Sequence, residues 1–276
     1  MAEKRPTEAA LDRSRALDEM SAEAMLRLIH SEDGQAHIAV GRVIPVMAEA
    51  VEVLACALLG GGRWFNVGAG TSGRIGVLDA SELPPTFGVS ARRVQALIAG
   101  GDRALRHAVE GAEDDLHAGA FELEERGVTL GDVVIGISAS GTTPYVLGAI
   151  ESATKLGART IAITCDPSSP LVDSVEIAIV PEVGPEVVTG STRMKGGLAQ
   201  KMILAALSTA VMVRMGRVRG NYMTHVSPVS SKLRERAVRI LMELGGVDAE
   251  RAQDLLRQTD GSVEQALDVI EAQRSS

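Results

Sequence analysis

Residues 64–88 read WFNVGAGTSGRIGVLDASELPPTFG, and three structural signals follow one another in them. Trp64-Phe65-Asn66-Val67 is an apolar run of strand length. Gly68-Ala69-Gly70-Thr71-Ser72-Gly73 then alternates small residues with hydroxyls, a composition that lets backbone come close to a ligand. The spacing of Ile75, Val77 and Leu78 predicts a helix over 72–82, closing on Glu82 just before Pro84-Pro85, since proline lacks the N–H donor and clashes with the preceding turn. A carboxylate at a helix C-terminus opposes the helix dipole, so Glu82 calls for a functional reason. Strand, glycine-rich loop and helix together open a βα unit.

The same rhythm continues downstream. Further strands are predicted at Val94–Ala99, Asp132–Ile137, Thr160–Thr164 and Glu176–Val180, with helices at 102–126 and 144–156, the latter ending at Gly157. The first four strands are near-continuous apolar runs, as expected of strands covered on both faces. The fold class is therefore α/β, a three-layer arrangement around a parallel sheet with right-handed crossovers, and ligands bind at the carboxyl ends of its strands. Gly68–Gly73 and Ser138–Thr143 both follow such ends.

Upstream, residues 7–31 read as a helical lead-in with Ser21 as N-cap, and a second helical pattern runs from Asp33 to Gly60, interrupted by Pro45. Downstream, Ser191–Met215 reads as a long helix, Gly216–Val229 as a loop, and the remaining residues as capped helices, with Asp248 as one cap and Ser262 with Gln265 as a capping-box pattern. The expected organisation is an N-terminal helical lead-in over 1–62, a sheet domain over 63–229 and a C-terminal helical module over 230–276.

Composition narrows the function classes. A net charge of −8 and 2% aromatic residues give neither the basic footprint nor the stacking platforms of a nucleic-acid binder. The N-terminus lacks the apolar core of a secretory signal, and the longest uncharged apolar segment, Met202–Val213, is too short to span a bilayer, so a cytoplasmic protein without membrane contact is expected. Cys56 and Cys165 have no CxxC spacing and are expected to be buried small hydrophobes. The five histidines are scattered without HxH or HExxH spacing, His107 and His117 reading as solvated, so no metal and no cofactor is expected.

Ser138-Ala139-Ser140-Gly141-Thr142-Thr143 places four hydroxyls and a glycine between a strand and a helix, where O–H donors, N–H donors and the helix dipole can converge on one phosphate; ordinary N-capping would need a single hydroxyl. No Gly-Lys-Ser/Thr, no GxGxxG with its downstream acid and no GxSxG elbow is present, which argues against nucleotide hydrolysis, dinucleotide binding and serine hydrolysis. Thr189–Gly197, TGSTRMKGG, adds Ser191 and the cations Arg193 and Lys195 near a helix start, suited to an anionic substrate or to capping alone. Glu110, Glu113 and Asp114 are expected to share one face of the 102–126 helix, either as a solvated acidic face or as part of a site.

GAGTSGRIGVLDASELPPTFG (68–88), GAEDD (111–115), ISASGTT (137–143) and TGSTRMKGG (189–197) together resemble the N-acetylmuramic acid 6-phosphate etherase family, within the sugar isomerase (SIS) superfamily. The resemblance covers nearly the whole chain. It implies a SIS fold with flavodoxin-like strand order, a UBA-like C-terminal module and a homodimer with shared active sites. The implied lyase removes D-lactate from C3 of N-acetylmuramic acid 6-phosphate in cell-wall recycling. By the family's motifs, Glu82 matches the proton donor and Glu113 the second catalytic carboxylate. Ser138, Ser140, Gly141 and Thr143 match the phosphate loop, with Thr71, Ser72, Gly73, Ser191 and Lys195 as further substrate contacts. The chain departs from the family pattern at Ala10-Leu11, where Arg-Asn is usual, at Leu83 for Cys, at His225 for Asp and at Ser231 for Asn. An aldose-ketose isomerase and a non-catalytic sugar-phosphate regulator are the competing readings on the same scaffold.

Overall fold

The computed structural model describes residues 5–226 and 231–274. Three short 3-10 turns, Pro6–Glu8, Asp12–Ser14 and Leu17–Glu19, precede α1 (Ala22–Arg42). The helical lead-in expected from residue 7 is thus absent up to residue 20, where scattered apolar positions offer no continuous face to repay helix nucleation. Ser21 caps α1, its Oγ accepting from Ala24 N at 3.3 Å. The helix expected to start at Asp33 is the continuation of α1, and the break falls at Val43, so that Pro45 sits in the first turn of α2 (Ile44–Leu59), where its missing N–H costs nothing.

The chain then alternates β1 (Trp64–Gly68), α3 (Gly70–Phe87), β2 (Val94–Ile98), α4 (Leu116–Glu125), β3 (Val133–Ile137), α5 (Pro144–Lys155), β4 (Arg159–Ile163), α6 (Pro170–Asp173), β5 (Ile177–Ile179) and α7 (Lys195–Arg214). The five strands are all parallel, in the order β2-β1-β3-β4-β5. Side-chain alternation splits the sheet cleanly. Val133, Ile135 and Ile137 face a core shared with α1, α2, α3 and α7, whereas Val134 faces one shared with α4 and α5. On that second side α4 and α5 meet through glycines: a Cβ at Gly119 would stand 2.0 Å from the Tyr145 carbonyl oxygen, and one at Gly148 would stand 1.9 Å from that of Leu116.

Two expected helix boundaries are corrected. α3 begins two residues before Ser72 and continues through Pro84 and Pro85 to a left-handed cap at Gly88, φ 63°. The prolines remove the N–H groups that would reach the carbonyls of Ala80 and Ser81, but Leu83 and Phe87 are buried in the core, and that burial holds the last turn. The helix expected over 102–126 is instead a 3-10 turn at Gly101–Leu105, another at Ala112–Asp114, and α4. Gly100, Gly101 and Gly111 all have positive φ, and Asp115 starts α4 as a cap accepting from His117 N and Ala118 N. Glu110, Glu113 and Asp114 therefore do not share a helix face.

α7 starts four residues later than expected and passes between α1, α2 and α3. By length and composition it could cross a membrane, longer than the Met202–Val213 segment suggested, but 56% of its apolar window is buried within the protein. The 216–229 region holds a small antiparallel hairpin, β6 (Val218–Arg219) with β7 (Tyr222–Met223), rather than only loop. The boundary expected at 229/230 lies outside the described residues. α8 (Ser231–Gly245), α9 (Ala249–Gln258) and α10 (Val263–Arg274) enclose a cluster of their own with Val226, Ala237, Leu255 and Leu267. Asp248 and Ser262 act as the expected caps, accepting from Arg251 N at 2.8 Å and Gln265 N at 3.3 Å. Arg219 ties the hairpin to α10 through Glu264, Asp268 and Glu271. Cys165 is buried as expected, but Cys56 is exposed, one position off the buried stripe Leu54, Ala55 and Leu58 of α2.

Candidate active site

Three segments converge beyond the carboxyl ends of the strands: the β1–α3 turn, the β3–α5 loop and the start of α7. A Cβ on Gly197 would meet Thr71 Cγ2 at 3.3 Å and one on Gly196 would meet Ala139 Cβ at 3.3 Å, so α7 abuts both loops. Ser72 Oγ donates to Gln200 Oε1 at 2.9 Å, fastening the first loop to α7.

The β3–α5 loop is internally wired. Ser138 Oγ lies 2.8 Å from Thr143 Oγ1 and accepts from Gly141 N at 3.1 Å, while Ser140 Oγ accepts from Thr142 N at 3.3 Å and from Thr142 Oγ1 at 3.1 Å. Gly141 sits at φ 63°, and a Cβ there would be 2.1 Å from Ser169 Oγ, so only glycine fits. Thr143 occupies the N-cap of α5 without making a side-chain cap. The capping alternative for this loop is thus not realised at Thr143: the hydroxyls hold the loop's shape, and the N-terminus of α5 is left without a side-chain cap, an end whose dipole favours an anion.

The first loop reads differently in three dimensions. Gly73 is buried and donates from its N–H to Ala69 O; a Cβ there would stand 2.6 Å from Ile98 Cγ1, and one at Gly68 would stand 2.7 Å from Gly73 N. Both glycines serve close packing of α3 on the sheet rather than ligand access. Ser72 is spent on Gln200, which leaves Thr71, half-buried, as the member of this loop whose side chain faces the junction with α7.

The start of α7 is also already satisfied. Glu186, buried and unnoticed in the sequence, accepts from Lys195 N and Gly196 N, both at 3.0 Å, and so caps α7. Lys195 is buried at 2% exposure and its Nζ lies 2.6 Å from Glu32 Oε2. Glu32 in turn accepts from Arg13 Nη1 at 3.1 Å. Lys195 therefore spends its charge inside the fold. Ser191 is half-buried in the preceding turn, donating from its N–H to Val188 O. Nothing in TGSTRMKGG announced Glu32, 163 positions from Lys195, or Glu186, which lies just outside the segment and caps α7 across a turn of loop.

The two carboxylates sit in different clefts of one chain. Glu113, exposed on the Ala112–Asp114 turn, borders a cleft of about 200 Å3 with Ala69, Gly70, Arg74, Val109 and Glu110. Arg74, also missed in the sequence, donates to the carbonyls of Ala104 and Leu105 there. Glu82 faces a groove of about 350 Å3 between α3 and α7, with Ile75, Asp79, Lys201 and Ser208. Gly70 and Glu82 are 12 positions apart on one helix, which at 1.5 Å per residue is about 18 Å. In the Glu82 groove Asp79 accepts from Ser208 Oγ at 2.8 Å, and burial pushes its carboxyl up to about 6, opposed by that hydrogen bond and by Lys201. Among the described residues no group of three His, Cys, Asp or Glu side chains could hold a metal ion.

Comparison with known proteins gives this arrangement its family. The chain is 50% identical over 261 residues to the N-acetylmuramic acid 6-phosphate etherase of Jannaschia sp. (strain CCS1), covering 95% of this chain and 83% of that protein. It is 51% identical over 251 residues to that of Yersinia pestis (strain Pestoides F), covering 91% and 85%. The chain belongs to the N-acetylmuramic acid 6-phosphate etherase family. Within it, residues 46–154 match the glucokinase regulatory protein N-terminal SIS domain and residues 115–210 match the SIS domain. At the level of fold, a phosphoheptose isomerase from Francisella tularensis superposes with a TM-score of 0.54 at 21% identity, covering 70% of this chain and 98% of the other. The etherase family membership and the 2-1-3-4-5 parallel sheet agree with the fold expected from the sequence.

Proposed function

We propose that the protein cleaves the D-lactyl ether of N-acetylmuramic acid 6-phosphate, as a carbon–oxygen lyase in cytoplasmic amino-sugar recycling, without a metal or other cofactor. The observation that carries the reading is the etherase identity over 95% of the chain, joined to an uncapped helix N-terminus behind a self-wired hydroxyl loop. Ser138, Ser140, Gly141 and Thr143 take the phosphate, and Thr71 and Ser191 border the sugar. Ser72 and Gly73 hold the first loop in shape, and Lys195 supports the site through Glu32 instead of touching the anion.

In the open-chain aldehyde the carbonyl acidifies the C2 proton. One carboxylate takes that proton, the C3–O bond to lactate breaks, and the other carboxylate gives a proton to the departing ether oxygen; water then adds across the resulting double bond. Glu113 is read as the base and Glu82 as the acid. Glu82 and Glu113 border separate clefts, with about 12 Å of helix between Arg74 at the edge of one and Glu82 in the other, so the two carboxylates are read as meeting one sugar only across two copies of the chain. A homodimer in which Glu82 of one copy completes the Glu113 cleft of its partner resolves the separation. The C-terminal helices, with their separate core, are read as a module outside this chemistry.

Incubating the protein with N-acetylmuramic acid 6-phosphate and measuring D-lactate tests the reaction. Glu82→Gln and Glu113→Gln should each slow release at least about a hundredfold. Mixing the two inactive variants tests the shared site, since subunit exchange into a statistical population of two-fold dimers restores about a quarter of wild-type activity. No lactate from the wild type overturns the reaction, and lactate without recovery on mixing overturns the shared site alone.

A further inference from the structure

The N-terminal segment holds a cation at the loop that lacks one. Arg5 Nη1 donates to Thr142 Oγ1 at 3.0 Å, and Thr142 Oγ1 donates on to Ser140 Oγ at 3.1 Å, so the guanidinium is two hydrogen bonds from the centre of the hydroxyl loop. The segment that carries it is docked. Thr7 is 2% exposed, and a Cβ on Gly190 would stand 3.3 Å from Glu8 Oε2, so the 3-10 turn Pro6–Glu8 lies against the loop ahead of α7. A few residues on, Arg13 joins the buried Glu32–Lys195 pair. The segment is therefore pinned at Thr7–Glu8 and again at Arg13, just after the residue that reaches the loop.

A phosphate monoester carries between one and two negative charges at neutral pH. Hydroxyls and the α5 N-terminus offer dipoles but no full positive charge, and of the two cations read at the start of α7, Lys195 is neutralised by Glu32 while Arg193 is exposed and has no hydrogen bond to the hydroxyl loop among the described residues. An arginine stays protonated throughout and has five N–H donors, whose fork matches phosphate oxygens; Arg5 spends one of them on Thr142. We propose that Arg5 is a further substrate-binding residue, its guanidinium gripping the phosphate of the sugar phosphate seated on Ser138–Thr143 while the docked turn Pro6–Glu8 holds it at the loop. The proposal rests on reading Ser138–Thr143 as the phosphate loop, and it assigns to the N-terminal segment a part in recognising the anion rather than only in folding.

The test uses the full chain with Arg5→Ala and Arg5→Lys. For Arg5→Ala, KM for N-acetylmuramic acid 6-phosphate and the inhibition constant of inorganic phosphate should both rise about tenfold, the scale of one charge-assisted contact at a partly exposed site. kcat should change less than about twofold, as expected for binding lost equally from ground and transition states. Arg5→Lys, which keeps the charge but loses the fork, should recover part of the loss, competition by unphosphorylated N-acetylglucosamine should not move, and the thermal midpoint should stay put because Arg5 is exposed. Unchanged phosphate constants, or a fall in kcat without a change in phosphate affinity, overturn the role of Arg5. If the wild type binds inorganic phosphate by calorimetry yet releases no lactate, the reaction falls and the same calorimetry on the variants still judges Arg5. A wild type that binds no phosphate overturns both.

Discussion

Replacing Asp79 by asparagine should stabilise the protein at neutral and alkaline pH but not in acid. Asp79 lies on α3 one turn before Glu82; its Oδ1 accepts from Ser208 Oγ and its Oδ2 is buried without a hydrogen-bond partner among the described residues. Burial outweighs the Ser208 hydrogen bond and Lys201, lifting the carboxyl from 3.8 to about 6. A folded-state value above the unfolded one means that the neutral form is favoured by folding. The associated stability is fully present below about pH 3.8 and is lost as pH rises through about 6. Integrating that linkage between pH 4 and pH 8 gives a loss of about 2 kcal/mol for the wild type, which an amide of the same shape does not suffer. Urea unfolding of both proteins at pH 4, 6 and 8, at one protein concentration and with equal slopes, reads the difference directly. The midpoint of Asp79→Asn relative to wild type should climb with pH, most of the climb falling below pH 6 and flattening above it. A gap that stays constant from pH 4 to pH 8 would show that Asp79 ionises as a solvated carboxylate, and the account of this groove would be wrong.

Three other outcomes follow from the packing. Glu32→Gln should cost about 3 kcal/mol by leaving Lys195 charged and buried, whereas Glu32→Leu combined with Lys195→Met should recover much of that in a urea melt. Gly141→Ala forces a Cβ to within 2.1 Å of Ser169 Oγ at φ 63°, so D-lactate release should fall at least about tenfold through misplacement of the phosphate loop. A thiol reagent at pH 8 should modify Cys56 in the folded protein and spare Cys165, whose thiol burial pushes up to about 12; labelling of both at equal rates would contradict the fold around β4.

The sheet was legible because its strands are buried on both faces, and burial on both faces writes itself as uninterrupted apolar runs such as Val133–Ile137. Helix ends were less legible wherever tertiary burial outvoted local preference. Pro84-Pro85 reads as a stop, yet Leu83 and Phe87 anchor the last turn of α3 in the core. Residues 102–126 carry enough helix formers to suggest one helix, yet Gly100, Gly101 and Gly111 take positive φ and break the chain into turns. A glycine's φ is not encoded in the glycine, so that error had no local signal to prevent it.

The site divides along the same line. The hydroxyl loop was readable because its residues act within six positions of one another, and a local pattern is what a sequence displays. Lys195 is the opposite case: a cation beside a helix start reads as an anion's partner, and only the fold shows Glu32, 163 positions away, holding it. Arg5 and Thr142, 137 positions apart, escaped notice for the same reason. With Lys195 held inward by Glu32, the guanidinium that hydrogen-bonds the hydroxyl loop comes from the segment ahead of α1. Glu82 and Glu113, proposed as acid and base, pose a parallel question because they line different clefts. Glu113 borders one cleft with Gly70 and Arg74, while Glu82, about 12 Å along α3 from Arg74, lines the separate groove between α3 and α7, and it is this separation that the mixing of Glu82→Gln with Glu113→Gln interrogates.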